Sequence, residues 1–330
     1  MNTATSSITV VGECVADAFT DPARSAAGQL ALSVLPGGSP ANTAVALARL
    51  STPTRFLARF SNDVFGTLFR DHLSASGVDV TGSVTAPEPS TLAIADLDET
   101  GQATYSFFAD GAADWQWTTD ELSTAPDDTV AVHTGSLALV RRPGCSRIED
   151  YLAKASEHAT VSIDPNVRPL LVPPAAYRER LHAWCALADI LRLSEDDLAL
   201  LLPGATPEQA CDTWHAAGVR LVVITLGGHG ALASLDGLRA TVPAPTVDVI
   251  DTVGAGDAFT AGLLHHLAAR GHLGGRLNAL TLEDTTDACS FAARVAALTC
   301  SVPGADPPRT EQLAPRPAQA HRPRGHAQGT

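Results

Sequence analysis

The sequence predicts a layered α/β domain built on a mostly parallel sheet. Short β-branched runs alternate with longer alanine- and leucine-rich stretches, and 45% of the 330 residues are hydrophobic, which suffices for a large buried core. Strands that alternate with helical stretches predict parallel pairing through crossover helices. Buried strands are predicted over residues 8–12, 130–134, 160–164, 189–193 and 221–225.

Helical stretches separate these strands. They are predicted over residues 40–50, 64–76, 147–157, 174–186 and 207–217. Several strands end in short polar or glycine-rich sequences, such as Gly-Glu-Cys, His-Thr-Gly-Ser, Asp-Pro-Asn and Leu-Gly-Gly. Ligands collect at the carboxyl ends of parallel strands in open α/β sheets, so these sequences are candidates for the lining of a site.

Two further segments depart from the alternation. Residues 91–97 and 103–108 flank Asp98-Glu99-Thr100-Gly101 and predict a β-hairpin. Such a hairpin indicates a lid or an oligomer contact, and an edge extension of the sheet is the alternative.

Residues 306–330 are rich in Pro, Ala, Gln and Arg without apolar periodicity, which predicts a disordered tail after a domain that spans residues 1–305.

Composition excludes several classes of function. A formal net charge of −14 argues against a nucleic-acid or anionic-membrane partner. No apolar run reaches the roughly 18 residues of a membrane span, and residues 1–7 contain no basic region, so a cytoplasmic location is expected. The six cysteines lack ligand-like spacing, which favours buried thiols. Lys154 is the only lysine, which excludes a P-loop.

Residues 246–271 carry the strongest chemical signal. An alternating strand over 246–250 leads into Asp251-Thr252-Val253-Gly254-Ala255-Gly256-Asp257 and then into an apolar helix. Small residues before a helix let its free N–H groups approach an anion. Asp257 falls in the first helical turn, where an ionised carboxylate can accept the proton of an attacking hydroxyl. Capping of the helix by Asp257 is the alternative.

A second segment, residues 35–50, places Gly37 and Gly38 before a helix. Ser39 is predicted as the N-cap, with Pro40 in the first turn and Asn42 near its third position. The glycines leave room for a ligand, and the Asn42 amide can bind sugar hydroxyls. A purely structural glycine turn would have a similar sequence.

Two weaker signals complete the set. Asp17 lies in a predicted loop just past the first strand, where its carboxylate could accept from two sugar hydroxyls or simply be solvated. Residues 221–230 read as a strand, a glycine turn and the start of a new strand over 231–236. Such a turn can admit a nucleotide, although a lone glycine turn is weak evidence.

These four segments, in this order, resemble the ribokinase-like sugar kinases, the pfkB carbohydrate kinase family. The D-T-x-G-A-G-D match at 251–257 is the most specific part, and the resemblance covers residues 8–305. It implies a ribokinase-like layered sandwich with a small β lid, and it favours catalysis over capping for Asp257. The residues that it implies are Asp257 as the base, Gly254, Ala255 and Gly256 as the anion hole, Asp17, Gly37, Gly38 and Asn42 for the sugar, Asn166, Thr225, Gly227 and Gly230 for the nucleotide, and Asp251 for a monovalent cation.

One departure concerns the family's N-x-x-E, where this chain has Ser194 and Asp197. They keep a hydroxyl and a carboxylate, so they stay with the nucleotide-side residues, and the Asp197 side chain is one methylene shorter than glutamate. The resemblance implies ATP, Mg²⁺ and K⁺, and the hairpin adds the expectation of a homodimer through the lid. Four segments look most like fructokinases, which implies fructose as substrate and fructose 6-phosphate as product: Gly12-Glu13-Cys14, Ala112-Ala-Asp114, His133-Thr-Gly-Ser136 and Asp164-Pro-Asn-Val-Arg168.

Four alternatives remain open at this stage. Ribose, 2-keto-3-deoxygluconate or a nucleoside are substrates of enzymes with the same fold, and a sugar sensor without catalysis is a rival from another class. A nucleotide-linked oxidoreductase would need G-x-G-x-x-G after the first strand, and Gly12-Glu13-Cys14 does not supply it.

Overall fold

The computed structural model describes residues 6–97, 103–122 and 124–313. The strands are β1 (Ser7–Val11), β2 (Val15–Thr20), β3 (Leu32–Gly37), β4 (Thr54–Leu57), β5 (Arg59–Ser61), β6 (Val84–Ala86), β7 (Thr91–Leu97), β8 (Ala103–Phe108), β9 (Thr129–Gly135), β10 (Thr160–Asp164), β11 (Ile190–Ser194), β12 (Leu221–Thr225), β13 (Ala231–Leu235) and β14 (Leu238–Val242). The helices are α1 (Ser39–Arg49), α2 (Val64–Ala75), α3 (Cys145–Ala155), α4 (Pro174–Leu187), α5 (Glu195–Leu201), α6 (Pro207–Ala216), α7 (Ala255–Ala269) and α8 (Leu282–Cys300).

The central sheet has eight strands in the order β14-β13-β12-β11-β10-β9-β1-β4. The pairs from β4 across to β12 are parallel, and β13 and β14 continue the sheet antiparallel. All five predicted strands belong to this sheet, and the five predicted helices are found with ends shifted by no more than a few residues. The predicted layered α/β class is confirmed, because the β-branched runs are buried on both faces of the sheet.

Two apolar cores cover the two faces of the sheet. One contains side chains of α1, α2, α7 and α8, and the other contains side chains of α3, α4, α5 and α6. Five of the six cysteines are buried and Cys300 is partly buried, all as free thiols, which confirms that expectation. Within the described ranges, no helix is long and apolar enough to cross a membrane.

The lid is a separate four-stranded sheet in the order β3-β2-β7-β8. The predicted hairpin is confirmed, since β7 and β8 pair antiparallel from Leu92 opposite Phe108 to Leu97 opposite Ala103, while its turn at 98–101 lies outside the described residues. The loop predicted for Asp17 is wrong, because Asp17 lies within β2, which pairs with both β3 and β7. The lid therefore has two more strands than the sequence indicated.

The strand predicted over 246–250 is also wrong, since none of these residues belongs to a strand. Val249 and Ile250 are each 63% exposed, and the amide of Ile250 donates to the carbonyl of Cys300 at the end of α8. Alternating β-branched residues form a strand only where a neighbouring strand and a packed face are present, and this segment has neither.

The domain continues beyond residue 305, where the sequence analysis ended it. Residues Thr310–Leu313 form a 3₁₀ turn with Leu313 buried, and Arg49 of α1 pairs with Asp306 and donates to the carbonyl of Pro307 at 2.8 Å. These contacts hold the segment against the domain although its sequence lacks periodicity. The remainder of the predicted tail, 314–330, lies outside the described residues.

Candidate active site

The turn before α7 brings backbone amides to the edge of the central sheet. Gly254 is the N-cap of α7 with φ of 75°, a left-handed conformation that favours glycine. A Cβ at Gly254 would lie 2.7 Å from the Ala305 side chain, so the turn packs tightly. The amide of Ala255 donates to Thr252 at 3.2 Å, while amides in a first helical turn lack intrahelical partners and are available to an anion.

Asp257 lies in the first turn of α7 and is held by α1. Its Oδ1 accepts from the Ser39 hydroxyl at 2.6 Å, and its Oδ2 accepts from the Asn42 amide at 2.9 Å. The prediction of Ser39 as N-cap is wrong, because Gly38 occupies that position and no side chain caps the helix. Ser39 instead orients Asp257, a contact between residues 218 positions apart.

The electrostatic environment of Asp257 is mixed. The side chain is only 8% exposed, and burial raises its pKa above the ordinary range for aspartate. The hydrogen bonds from Ser39 and Asn42 and the charges of Arg168 and Arg192 act in the opposite direction. A carboxylate that is buried, oriented and more basic than usual is suited to accept a proton.

Asp17 and the glycine pair meet at the base of the lid. A Cβ at Gly37 would lie 2.1 Å from Oδ2 of Asp17, and one at Gly38 would lie 2.6 Å from the carbonyl oxygen of Glu13. Gly38 also has φ of 105°, so this position requires glycine. Burial raises the pKa of Asp17 to about 6, and the nearby charge of Arg168 opposes the shift.

Arg168 is a site residue to which the sequence analysis assigned no role. Burial raises the pKa of both Asp17 and Asp257, and the positive charge of Arg168 lowers both. It extends from the loop after β10, where Asn166 has φ of 39° and its amide donates to Asp164 at 3.1 Å. The sequence signal for Arg168 was its position in the polar segment 164–168, at the end of a predicted strand.

Arg192 is a second residue that the sequence analysis missed. It lies in β11, is 6% exposed, and its Nη1 donates to Asp164 at 2.8 Å. Its Nη2 donates to the hydroxyl of Thr225 at 2.6 Å. A Cβ at Gly256 would lie 2.6 Å from Nη1, so the guanidinium lies directly against the first turn of α7. A single charged residue inside an otherwise apolar strand was the available signal.

The candidate nucleotide residues occupy the neighbouring strand ends. Ser194 caps α5, and Asp197 completes a capping box by accepting from the Ser194 amide and hydroxyl with Oδ2. Oδ1 of Asp197 accepts from the Val167 amide at 2.8 Å, so both oxygens are engaged. Thr225 ends β12, and Gly227 opens the 3₁₀ turn that follows.

Gly230 closes this turn with φ of 94°, and a Cβ there would lie 1.9 Å from the carbonyl oxygen of Val242. We expect Gly230→Ala to lower the free energy of unfolding by more than about 1 kcal/mol, since the backbone is incompatible with a side chain. We also expect it to raise the KM for ATP. The matched control is Gly228→Ala, because a Cβ at Gly228 meets no atom within 4 Å. Thermal melts and ATP titrations of the two variants measure the difference, and equal behaviour would contradict the expectation.

The Asp251 carboxylate is held by two backbone amides. Its Oδ1 accepts from the Val253 amide at 3.0 Å and its Oδ2 from the Gly304 amide at 2.8 Å. Among the described residues, no group of three or more His, Cys, Asp or Glu side chains could hold a metal ion.

Comparison with known proteins identifies the family. The family model described as pfkB family carbohydrate kinase matches residues 5–312. The chain belongs to the pfkB family. The ribokinase-like fold and the relationship to fructokinases that the sequence predicted are thereby confirmed, and the protein is a carbohydrate kinase.

Several relatives of this pfkB kinase are fructokinases. A fructokinase from Rhizobium leguminosarum bv. trifolii is 35% identical over 257 residues, which cover 77% of this chain and 78% of that protein. A fructokinase double mutant from Vibrio cholerae O395 was solved with fructose, ADP and a potassium ion. It is 30% identical to this chain with a TM-score of 0.79, and the match covers 91% of this chain and 94% of that chain. A fructokinase from Xylella fastidiosa with bound ATP is 27% identical with a TM-score of 0.82, covering 92% and 94%.

Proposed function

We propose that this pfkB kinase is a fructokinase that transfers the γ-phosphoryl group of ATP to the primary 6-hydroxyl of fructose. One observation carries the chemistry: Asp257 is buried in the first turn of α7, and two side chains of α1 hold both of its oxygens. The choice of fructose is supported by the relatives, which include a fructokinase solved with fructose and ADP.

The sugar would bind between the lid and α1. Asp17 points from β2 toward Gly37, and the Arg168 charge lies close to it. Two adjacent sugar hydroxyls can donate to the Asp17 carboxylate, while the Gly37–Gly38 backbone leaves room for the ring. Asn42 is bound to Asp257, so we assign it to the orientation of Asp257 as well as to the sugar.

The proposed transfer needs no reactant other than the sugar and ATP. The sugar hydroxyl gives its proton to Asp257 while its oxygen forms a bond to the γ-phosphorus. The bond from that phosphorus to the β–γ bridging oxygen breaks, and ADP leaves. The first-turn amides of Gly254, Ala255 and Gly256 form the proposed anion hole, which would stabilise the charge on the transferring group. The Ala255 amide would have to exchange its contact with Thr252 to take part.

ATP would lie across the ends of β10, β11 and β12, near Asn166, Ser194 and Thr225 and against Gly227 and Gly230. Asp197 uses both oxygens within the protein, so it offers no free direct ligand, and we propose that Mg²⁺ arrives bound to the ATP phosphates. There it would neutralise phosphate charge. For K⁺, the proposed ligand is Asp251 with neighbouring carbonyl oxygens.

A homodimer through the lid and a cytoplasmic location complete the proposal. Phe19, Leu35 and Tyr105 leave 37%, 51% and 49% of their surfaces exposed on the lid, an apolar area that a second copy could cover. Sedimentation velocity distinguishes this dimer from a monomer.

The proposed cytoplasmic location is supported by the six free cysteines, which are consistent with a reducing compartment.

Arg192 is expected to set the pH dependence of the reaction. Burial raises the pKa of Asp257, and the positive charges of Arg168 and Arg192 lower it. Activity needs ionised Asp257 and falls as pH drops through its pKa. Arg192→Met should therefore move the acidic limb of kcat/KM to higher pH, and Arg192→Lys should leave the limb near its original position. A limb that stays in place in the Met variant would contradict this role.

The substrate is tested by ADP release with ATP, Mg²⁺ and K⁺ over fructose, ribose, 2-keto-3-deoxygluconate, adenosine and inosine. We expect fructose to give the highest kcat/KM. A higher value for another compound would replace fructose as the substrate. Binding of sugar without any turnover would favour a sugar sensor over a kinase.

A further inference from the structure

Asp114 lies beneath the lid, in the 3₁₀ turn Ala113–Trp115 that follows β8. Its side chain is buried, with the residue 4% exposed. Oδ1 accepts from the Cys14 amide at 3.0 Å, and Oδ2 accepts from the Thr91 hydroxyl at 2.7 Å. Cys14 immediately precedes β2 and Thr91 begins β7, so one carboxylate binds the starts of the two central strands of the lid.

The turn that carries Asp114 is itself fixed to the main domain. Arg59 of β5 is 5% exposed, and its Nε donates to the Ala113 carbonyl at 3.1 Å. The same guanidinium pairs with Glu88 at 2.9 Å and with Glu121. The Ala113 amide also donates to the carbonyl of Pro89 at 2.9 Å. Asp114 therefore binds the lid strands from a rigid base.

The segment that Asp114 holds leads directly to the sugar site. Asp17 follows Cys14 by three residues on β2. The carbonyl oxygen of Glu13 lies against Gly38, and the Glu13 side chain accepts from the Ala138 amide at 3.2 Å. A shift of the chain at Cys14 would therefore move Asp17 relative to Gly37, against which its carboxylate lies.

The surroundings make the Asp114 carboxylate costly to bury. Burial raises its pKa to about 6, and the Thr91 hydroxyl and Cys14 amide offset only part of this shift. Glu13 is also buried, and burial together with the negative charge of Asp114 raises its pKa to about 7. A buried carboxylate with strong hydrogen bonds costs desolvation energy, so its contacts must be of use to the fold or to the site.

We propose that Asp114 is a positioning residue for the sugar. Its two hydrogen bonds, from the Cys14 amide and the Thr91 hydroxyl, join the starts of β2 and β7 and are called the clasp below. The clasp holds Asp17 in the position from which it would bind the sugar. This inference rests on the proposed sugar-kinase function. Asp114 does not touch the reacting atoms, and it acts through the lid strand that carries Asp17. Loss of the clasp lowers the fraction of molecules whose lid is ready to bind sugar, and the apparent affinity falls with that fraction.

The kinetic test uses the full-length protein with Asp114→Asn, Thr91→Val and the control Asp110→Asn. Asp110 lies four residues before Asp114, its side chain is 99% exposed, and it pairs with Arg141. We expect the KM for fructose to rise about tenfold in Asp114→Asn and about threefold in Thr91→Val, since the latter removes one of the two contacts. The kcat and the KM for ATP should change less than about twofold in both, and the control should match the wild type.

Hydrogen–deuterium exchange gives a readout that does not depend on turnover. In Asp114→Asn and Thr91→Val, we expect faster exchange over 15–20 and 91–97 and unchanged exchange over β1 and β9. Uniformly faster exchange with a matching loss of thermal stability would show a purely structural role and overturn the proposal, as would an unchanged fructose KM. If the wild type does not phosphorylate fructose, the proposed function fails, and exchange in the lid strands still decides whether Asp114 is the clasp.

Discussion

Replacing Asp257 by asparagine is expected to lower kcat by at least about 10²-fold, because general-base catalysis contributes about 10²–10⁴-fold. An asparagine side chain keeps the shape and can still accept from Ser39, but it cannot take the proton of the sugar hydroxyl. The KM values for sugar and ATP should change little, since the amide leaves the binding surfaces in place. Steady-state kinetics with both substrates varied in turn measures the effect.

The control for this variant is Asp248→Asn. Asp248 is an exposed carboxylate nine residues earlier in the chain, and it is not among the groups assigned to the reaction. Circular dichroism and thermal melts should show that Asp257→Asn is folded, since burial of a neutral amide removes a desolvation cost. Turnover of Asp257→Asn at the wild-type rate would exclude Asp257 as the base.

Replacing Asp17 by alanine is expected to lower kcat/KM for fructose by at least about 10²-fold. Hydrogen bonds to a charged group contribute about 1.5–3 kcal/mol each, and two sugar hydroxyls would lose their acceptor. The loss should fall mainly on the KM for sugar, because Asp17 lies in the lid and not beside the reacting oxygen. Asp17→Asn should have a smaller effect, since its carbonyl still accepts one hydrogen bond.

Asp96 provides the matched control for Asp17. It is an exposed aspartate of the same lid sheet, and the pairing of β2 with β7 places it on the opposite face from Asp17. We expect Asp96→Asn to lower kcat/KM for fructose only slightly, since Asp96 binds only the exposed hydroxyl of Thr20, at 2.7 Å. An equal fall in kcat/KM for Asp96→Asn and Asp17→Ala would indicate a general effect on the lid and contradict sugar binding by Asp17.

Much of the main domain could be predicted from the sequence because its signals are local. Residues 160–164 and 221–225 are short β-branched runs between helical stretches, and both strands have those bounds in the structure. Burial on both faces of a parallel sheet produces such continuous apolar runs. Asp257 could be placed in the first turn of its helix for a similar reason, since small residues mark where α7 begins.

The lid strands and the segment before α7 could not be predicted in this way. β2 has the sequence VADAFT, in which alanines fill the buried positions, so its β-propensity is low although it pairs on both sides. Residues 246–250 have the opposite character, with high β-propensity and no strand to pair with. In both cases the tertiary neighbours, which the sequence does not reveal locally, decided the outcome.

The roles of Ser39 and Arg192 depend on distant parts of the chain. Serine is a favoured N-cap residue, so the sequence predicts that the Ser39 hydroxyl binds the backbone of its own helix. In the structure this hydroxyl instead donates to Asp257 of α7. Arg192 meets Asp164, Thr225 and the turn at Gly256, which are each tens of residues away. Such contacts follow only from the packing of α1 and α7 on the carboxyl ends of the strands.

Phosphoryl transfer to the 6-hydroxyl of fructose can be followed directly by ³¹P NMR. When the protein is incubated with ATP, Mg²⁺, K⁺ and fructose, we expect ADP and one new phosphomonoester whose phosphorus couples to the protons on carbon 6. Formation of ADP and inorganic phosphate alone, or a phosphomonoester at carbon 1, would contradict the proposed transfer.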